Sequence, residues 1–181
     1  LIEYARIRGD LIAPWLSENS EAVIIDGEGI GHNTKETGQL SSRHYDYFYI
    51  ADAILLIEES KKPFVAGGKN ALKSIRERGY KDKLLILFTK LDEVEPYDID
   101  DPSNDDRIEE VQDALTNVIS SLKEDGIDID LSENGIYFIG GLKEDGIEAD
   151  AIEQINSVLS QSESLSKFER SFVKPSYDFE M

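Results

Sequence analysis

No cysteine occurs among the 181 residues, which excludes disulfides and thiolate metal sites together. A cysteine-free composition suits a reducing compartment, and the cytoplasm is the expected location. No stretch approaches 18 uninterrupted apolar residues, so no membrane span is expected. Basic residues are scarce: 19 Lys and Arg face 38 Asp and Glu, for a formal net charge of −19. That imbalance argues against nucleic acid or an anionic membrane as a direct partner. What remains is ordinary. Forty per cent apolar and 31 per cent charged residues is the composition of a globular domain able to bury one sizeable core.

Along the chain, short apolar runs alternate with amphipathic stretches. Residues 1–17 read as an interrupted helix, broken at Gly9-Asp10 and Pro14. The runs Ala22–Ile25, Ala53–Ile57, Leu84–Phe88 and Ile136–Ile139 are the right length for buried strands. Ser41–Ile50 carries Tyr45, Phe48 and Tyr49 at helical spacing, and Tyr47 is expected on the same packed face. Gly68–Arg78 places Ala71, Leu72 and Ile75 on one helix face, with Gly79 as its stop. A longer stripe of Ile108, Val111, Leu115, Val118, Ile119 and Leu122 ends at Gly126. The last helix is expected over Ala149–Leu165, followed by a tail without a firm period. Four alternations of strand and helix predict an α/β fold with a parallel sheet and right-handed crossovers.

Two of the runs end in polar clusters. Ala22–Ile25 leads into Asp26-Gly27-Glu28-Gly29, and Leu84–Phe88 leads into Thr89-Lys90-Leu91-Asp92. In parallel α/β sheets, ligands collect at that edge. The two aspartates lie 66 residues apart, in the order D-x-x-G and then T-K-x-D. In this the chain resembles the P-loop GTPases, and Thr-Lys-Leu-Asp is the guanine-recognition form found in dynamin-like and related large GTPases. No G-x-x-x-x-G-K-[ST] phosphate loop occurs in the sequence. With only 21 residues before the D-x-x-G strand, the chain is expected to be the C-terminal two-thirds of a GTPase domain from a longer protein. The implied fold is a three-layer, mainly parallel α/β sheet missing its first strands. The implied division is an N-terminal helical segment (1–21), a partial GTPase domain (22–165) and a tail or linker (166–181).

The resemblance assigns roles position by position. Asp26 would hold Mg²⁺ through a water, and Gly29 would offer its backbone N–H to the γ-phosphate, where a side chain would block close approach. Asp92 would accept two hydrogen bonds from guanine, a pair of donors that adenine does not present. Lys90 would lay its stem along the base and sugar, and Thr89 would steady the loop by side-chain-to-backbone bonding. Gly140-Gly141 falls where the family places the loop that meets guanine O6, a match in position only. The implied ligands are GTP or GDP with Mg²⁺, and the implied activity is GTP hydrolysis coupled to a switch in the Gly27–Leu40 loop. Without a phosphate loop, the 181 residues alone are expected to be inactive.

In other respects the chain departs from the family. Ile30 stands where many small GTPases carry the glutamine that orients the attacking water. His32 and Glu28 are the nearby polar residues, and neither matches a family motif. Gly67-Gly68-Lys69-Asn70 contains a Gly-Lys pair, but Pro63 holds the place of the first glycine, so the segment reads as a helix start. The acidic run Asp98–Asp106 lacks the D-x-D-x-D-G core of a Ca²⁺ loop and reads as a cap for the next helix. Leu122-Lys123-Glu124-Asp125-Gly126-Ile127 recurs at Leu142–Ile147; the first copy is expected to end a helix and the second to begin one. The rival to the enzyme reading is a non-catalytic GTPase-like interaction module with an acidic docking surface.

Overall fold

The computed structural model describes residues 25, 40, 42–64, 67–128, 135–143, 146–147 and 149–172. Helix α1 (Ser42–Ile50) leads into strand β1 (Ile54–Glu59), helix α2 (Gly67–Glu77) and strand β2 (Leu84–Thr89). Helix α3 (Asn104–Glu124) connects β2 to strand β3 (Gly135–Phe138). A hairpin of β4 (Leu142–Lys143) and β5 (Gly146–Ile147) and helix α4 (Ala149–Phe172) follow. The first three strands form one parallel sheet in the order β1-β2-β3. The order follows from the sequence: each apolar run is joined to the next through a helix, and parallel neighbours need such crossovers. Of the run Ala22–Ile25, only Ile25 is described, and it is exposed.

On β2 and β3 the period-2 alternation sends side chains to two separate cores. Ile54, Leu56, Leu84, Ile86 and Phe88 join Ala71, Leu72 and Ile75 of α2 and Val111, Leu115 and Leu122 of α3. Leu85, Leu87 and Ile139 pack with Ala151 and Val158 of α4. Helices therefore cover both faces of β2, and its burial is complete from Leu84 to Phe88. On β1, the exposed Leu55 and Ile57 alternate with the buried Ile54 and Leu56.

The helix ends follow local chemistry. Ser103 caps α3: its hydroxyl accepts from the Asp106 N–H, while the Asp106 carboxylate accepts from the Ser103 N–H at 2.8 Å. The Ser103 hydroxyl also donates to that carboxylate, and this bond, with the one from the Ser103 N–H, holds the Asp106 carboxyl below its ordinary value. The acidic run before α3 thus acts as a cap. Gly79 and Gly126, with φ of +80° and +79°, follow α2 and α3 as left-handed stops.

Three expectations need correction. Tyr49 is 76 % exposed; in α1, Tyr45 and Phe48 pack against the core and Arg78 stacks on Tyr45 at 3.7 Å. Helix α4 continues past residue 165 to Phe172, because no Gly or Pro interrupts it and Lys167, Glu169 and Arg170 favour helix. The second Leu-Lys-Glu-Asp-Gly-Ile copy does not begin a helix. It forms the β4–β5 hairpin, with Leu142 opposite Ile147 and Lys143 opposite Gly146, whereas the first copy ends α3. A hexapeptide with no apolar period takes the conformation its surroundings impose.

Candidate functional site

The C-terminal ends of β1, β2 and β3 form one edge. Glu59 is in register with Thr89, and Phe88 with Phe138. Beyond that register the chain keeps pairing: Ile139 N–H donates to the Phe88 carbonyl at 2.8 Å, and Leu91 N–H donates to the Ile139 carbonyl at 3.0 Å. The Thr89–Asp92 segment is thereby fastened between its two neighbours.

Toward β1, the Thr89 carbonyl accepts from both the backbone N–H and the hydroxyl of Ser60, at 2.9 and 2.7 Å. The Thr89 hydroxyl donates to the Glu58 carbonyl at 3.2 Å. Lys90 turns the chain with φ 58° and ψ 40°, a left-handed conformation uncommon for a residue with a Cβ. Its ammonium lies 2.6 Å from Glu59 Oε1. The hydrogen bond raises the Lys90 pKa and lowers that of Glu59, the sense expected of a close ion pair. Leu91 and Val94 are buried and anchor the short turn after Lys90.

Toward β3, the exposed Asp92 carboxylate accepts the Gly141 N–H through Oδ1 at 2.9 Å. Two glycines permit this approach. A Cβ on Gly140 would stand 2.9 Å from the Asp92 backbone nitrogen and 3.1 Å from its Oδ1, so a side chain there would push the loops apart. Gly141 has φ +65°, where a side chain is strained.

Glu58 is the remaining acid at this edge. Its carboxylate accepts the Phe64 N–H at 3.0 Å and fills the space where a Cβ of Gly68 would stand, at the start of α2. Burial raises its pKa, the Phe64 hydrogen bond partly offsets this, and Glu59 adds to it. A carboxyl whose folded pKa lies above its unfolded value favours folding most below the unfolded value, here 4.5, and loses that contribution as pH rises through the folded pKa. Glu58→Gln should therefore be more stable than the natural chain at pH 7, and the gap should close as pH falls toward 4.5. Urea denaturation of both proteins across that range measures it; a gap that is constant with pH would contradict the assignment.

Of the expected site residues, the structure brings together Thr89, Lys90, Asp92, Gly140 and Gly141. Asp26 and Gly29 lie outside the described residues, as do Glu28, Ile30 and His32. Lys90 reaches Glu59, and the Gly141 N–H serves Asp92. The motif spacing does not mark Ser60, Glu58 and Glu59 as site residues, although Glu58-Glu59-Ser60 closes the β1 run in the sequence. The Gly67-Gly68-Lys69 segment begins α2, and Lys69 Nζ donates to the Ser121 hydroxyl at 2.8 Å.

A carboxylate is oriented by a backbone donor beside a glycine pair that admits close approach. The Mg²⁺ expected on Asp26 falls with that residue outside the description. Among the described residues, no group of three or more His, Cys, Asp or Glu could hold a metal ion, and no helix is long and apolar enough to cross a membrane. Compared with protein-family models, curated proteins and solved structures, the chain matches none.

Proposed function

We propose that this chain supplies the guanine-reading part of a GTP-binding protein of the P-loop GTPase type, related to the dynamin-like large GTPases. The Asp92 carboxylate is the base-reading group. The observation that carries the reading is the hydrogen bond from Gly141 N–H to Asp92 Oδ1, made across the ends of β2 and β3. It orients the carboxylate while leaving it exposed, with acceptor capacity for the paired N–H donors of guanine. The open parallel sheet agrees with the coarse architecture, and the three-layer GTPase fold is the finer assignment made here. Within it, Asp26 and Gly29 are assigned to Mg²⁺ and the γ-phosphate, and the Gly27–Leu40 loop is the segment that would respond to hydrolysis.

The 181 residues contain no phosphate-loop motif and carry a net charge of −19. By themselves they lack the cradle that offsets a triphosphate. Hydrolysis by this chain alone is not expected, and Mg·GTP should show no micromolar binding by titration calorimetry. Guanosine at millimolar concentration should shift the amide signals of Gly140, Gly141 and Asp92 in NMR, and adenosine should not. Equal shifts from both nucleosides, or none from guanosine, would remove the base-reading assignment. Micromolar Mg·GTP binding would mean that these residues themselves supply the phosphate contacts. The rival reading, a non-catalytic module with an acidic docking surface, draws its support from the same charge and the same missing motif.

A further inference from the structure

Lys90 and Asp92 are only two residues apart, yet they part to opposite sides of β2. The Lys90 stem runs to Glu59 at the end of β1, and the Asp92 carboxylate reaches Gly141 beyond β3. The left-handed turn at Lys90 makes this divergence, and a residue with a Cβ does not favour that conformation. Local preference therefore does not hold the turn alone; the buried Leu91 and Val94 and contacts on both sides hold it. On the β3 side these are the Leu91 N–H to the Ile139 carbonyl and Gly141 N–H to Asp92. On the β1 side the backbone is held at Thr89, through Ser60, and beyond Thr89 the tie to β1 is the ion pair from Lys90 to Glu59.

We infer that Glu59 is a positioning residue: by holding the Lys90 ammonium it keeps the left-handed turn closed, and so keeps Asp92 aligned on Gly141 for a guanine base. The inference rests on the base-reading assignment of Asp92. Glu59 is assigned no contact with the base. Its action passes through Lys90, whose stem it stretches across the ends of β1 and β2. Both partners are solvent-exposed, so the effect lies in the geometry of the turn and is limited in size.

Hydrogen exchange at the Gly141 amide reads that geometry directly, since this N–H is the one bonded to Asp92. The core amide of Ile86 serves as the reference for global unfolding. In Glu59→Ala, Gly141 exchange should rise about fivefold, the upper range for an exposed pair, with Ile86 unchanged. Lys90→Met, which keeps the stem and removes the charge, should give the same rise, and the double variant no more than either single one. Glu59→Asp, which restores the charge, should recover part of the protection. The Glu59→Ala chain should also need about fivefold more guanosine for the same Gly140 and Gly141 shifts. Unchanged Gly141 exchange in Glu59→Ala overturns the positioning role. A lack of guanosine shifts in the natural chain overturns the base assignment beneath it, so the two failures are separate results.

Discussion

Asp92→Asn should weaken guanine-nucleotide binding by about 2–4 kcal/mol, the cost of losing a charged hydrogen bond and leaving a donor facing a donor. In affinity this corresponds to roughly 30-fold to several hundred-fold. The direction follows from what the substitution keeps. Asparagine retains one oxygen, and the Gly141 N–H that now donates to Asp92 Oδ1 at 2.9 Å can still donate to it. On the proposed reading the NH₂ would then face the guanine donors, where the second carboxylate oxygen would be an acceptor. Xanthine carries a carbonyl in place of the guanine amino group, so XTP should lose less than GTP. Competition among GTP, ATP and XTP in the nucleotide-binding form of the protein measures this. GTP affinity that survives the substitution would remove Asp92 from the site. Gly140→Ala is the complementary variant: its Cβ would stand 2.9 Å from the Asp92 nitrogen, so it should displace the loop without changing any charge.

The parts of this molecule legible in its sequence are those fixed by local rules. Leu84–Phe88 reads as a buried strand because five consecutive apolar residues can serve two cores at once, and they do. The stripe from Ile108 to Leu122 and the stops at Gly79 and Gly126 follow from helical period and left-handed backbone. The acidic run Asp98–Asp106 is legible as a helix-capping cluster before an apolar stripe, and the structure adds that Ser103 is the cap. The contacts that shape the candidate site were not, because they join residues far apart in the chain. Ser60 meets Thr89 across 29 positions, Glu59 meets Lys90 across 31, and Asp92 meets Gly141 across 49. Thr-Lys-Leu-Asp marks a loop, but no spacing rule says which backbone donor will orient its aspartate. The two Leu-Lys-Glu-Asp-Gly-Ile copies make the same point for secondary structure. One sequence ends a helix and forms a hairpin, and only its surroundings differ.

The largest stability effect should come from Phe88→Ala, at about 3–5 kcal/mol of destabilisation for a large side chain removed from a closed core. Phe88 is fully buried. Its ring stacks on Phe138 of β3 with centroids 5.3 Å apart and meets the Phe64 ring edge-on at 5.7 Å. The deletion therefore removes a central ring from between two others, and neither neighbour is free to collapse into the space. Phe138 is held by the β2–β3 register, and the Phe64 N–H is bonded to the Glu58 carboxylate. The cavity should persist, and a persistent cavity puts the cost in the upper part of the range. Phe88→Leu, which refills most of the volume, should cost less than half as much. Because Phe88 directly precedes Thr89 and its carbonyl accepts from Ile139, the same cavity lies beneath the Thr89–Asp92 turn. Urea denaturation gives the stability, and Gly141 exchange reports the turn. A loss below about 1.5 kcal/mol in Phe88→Ala would mean that Phe64 and Phe138 can close over the gap. The aromatic triad would then not be the rigid floor on which the turn is set.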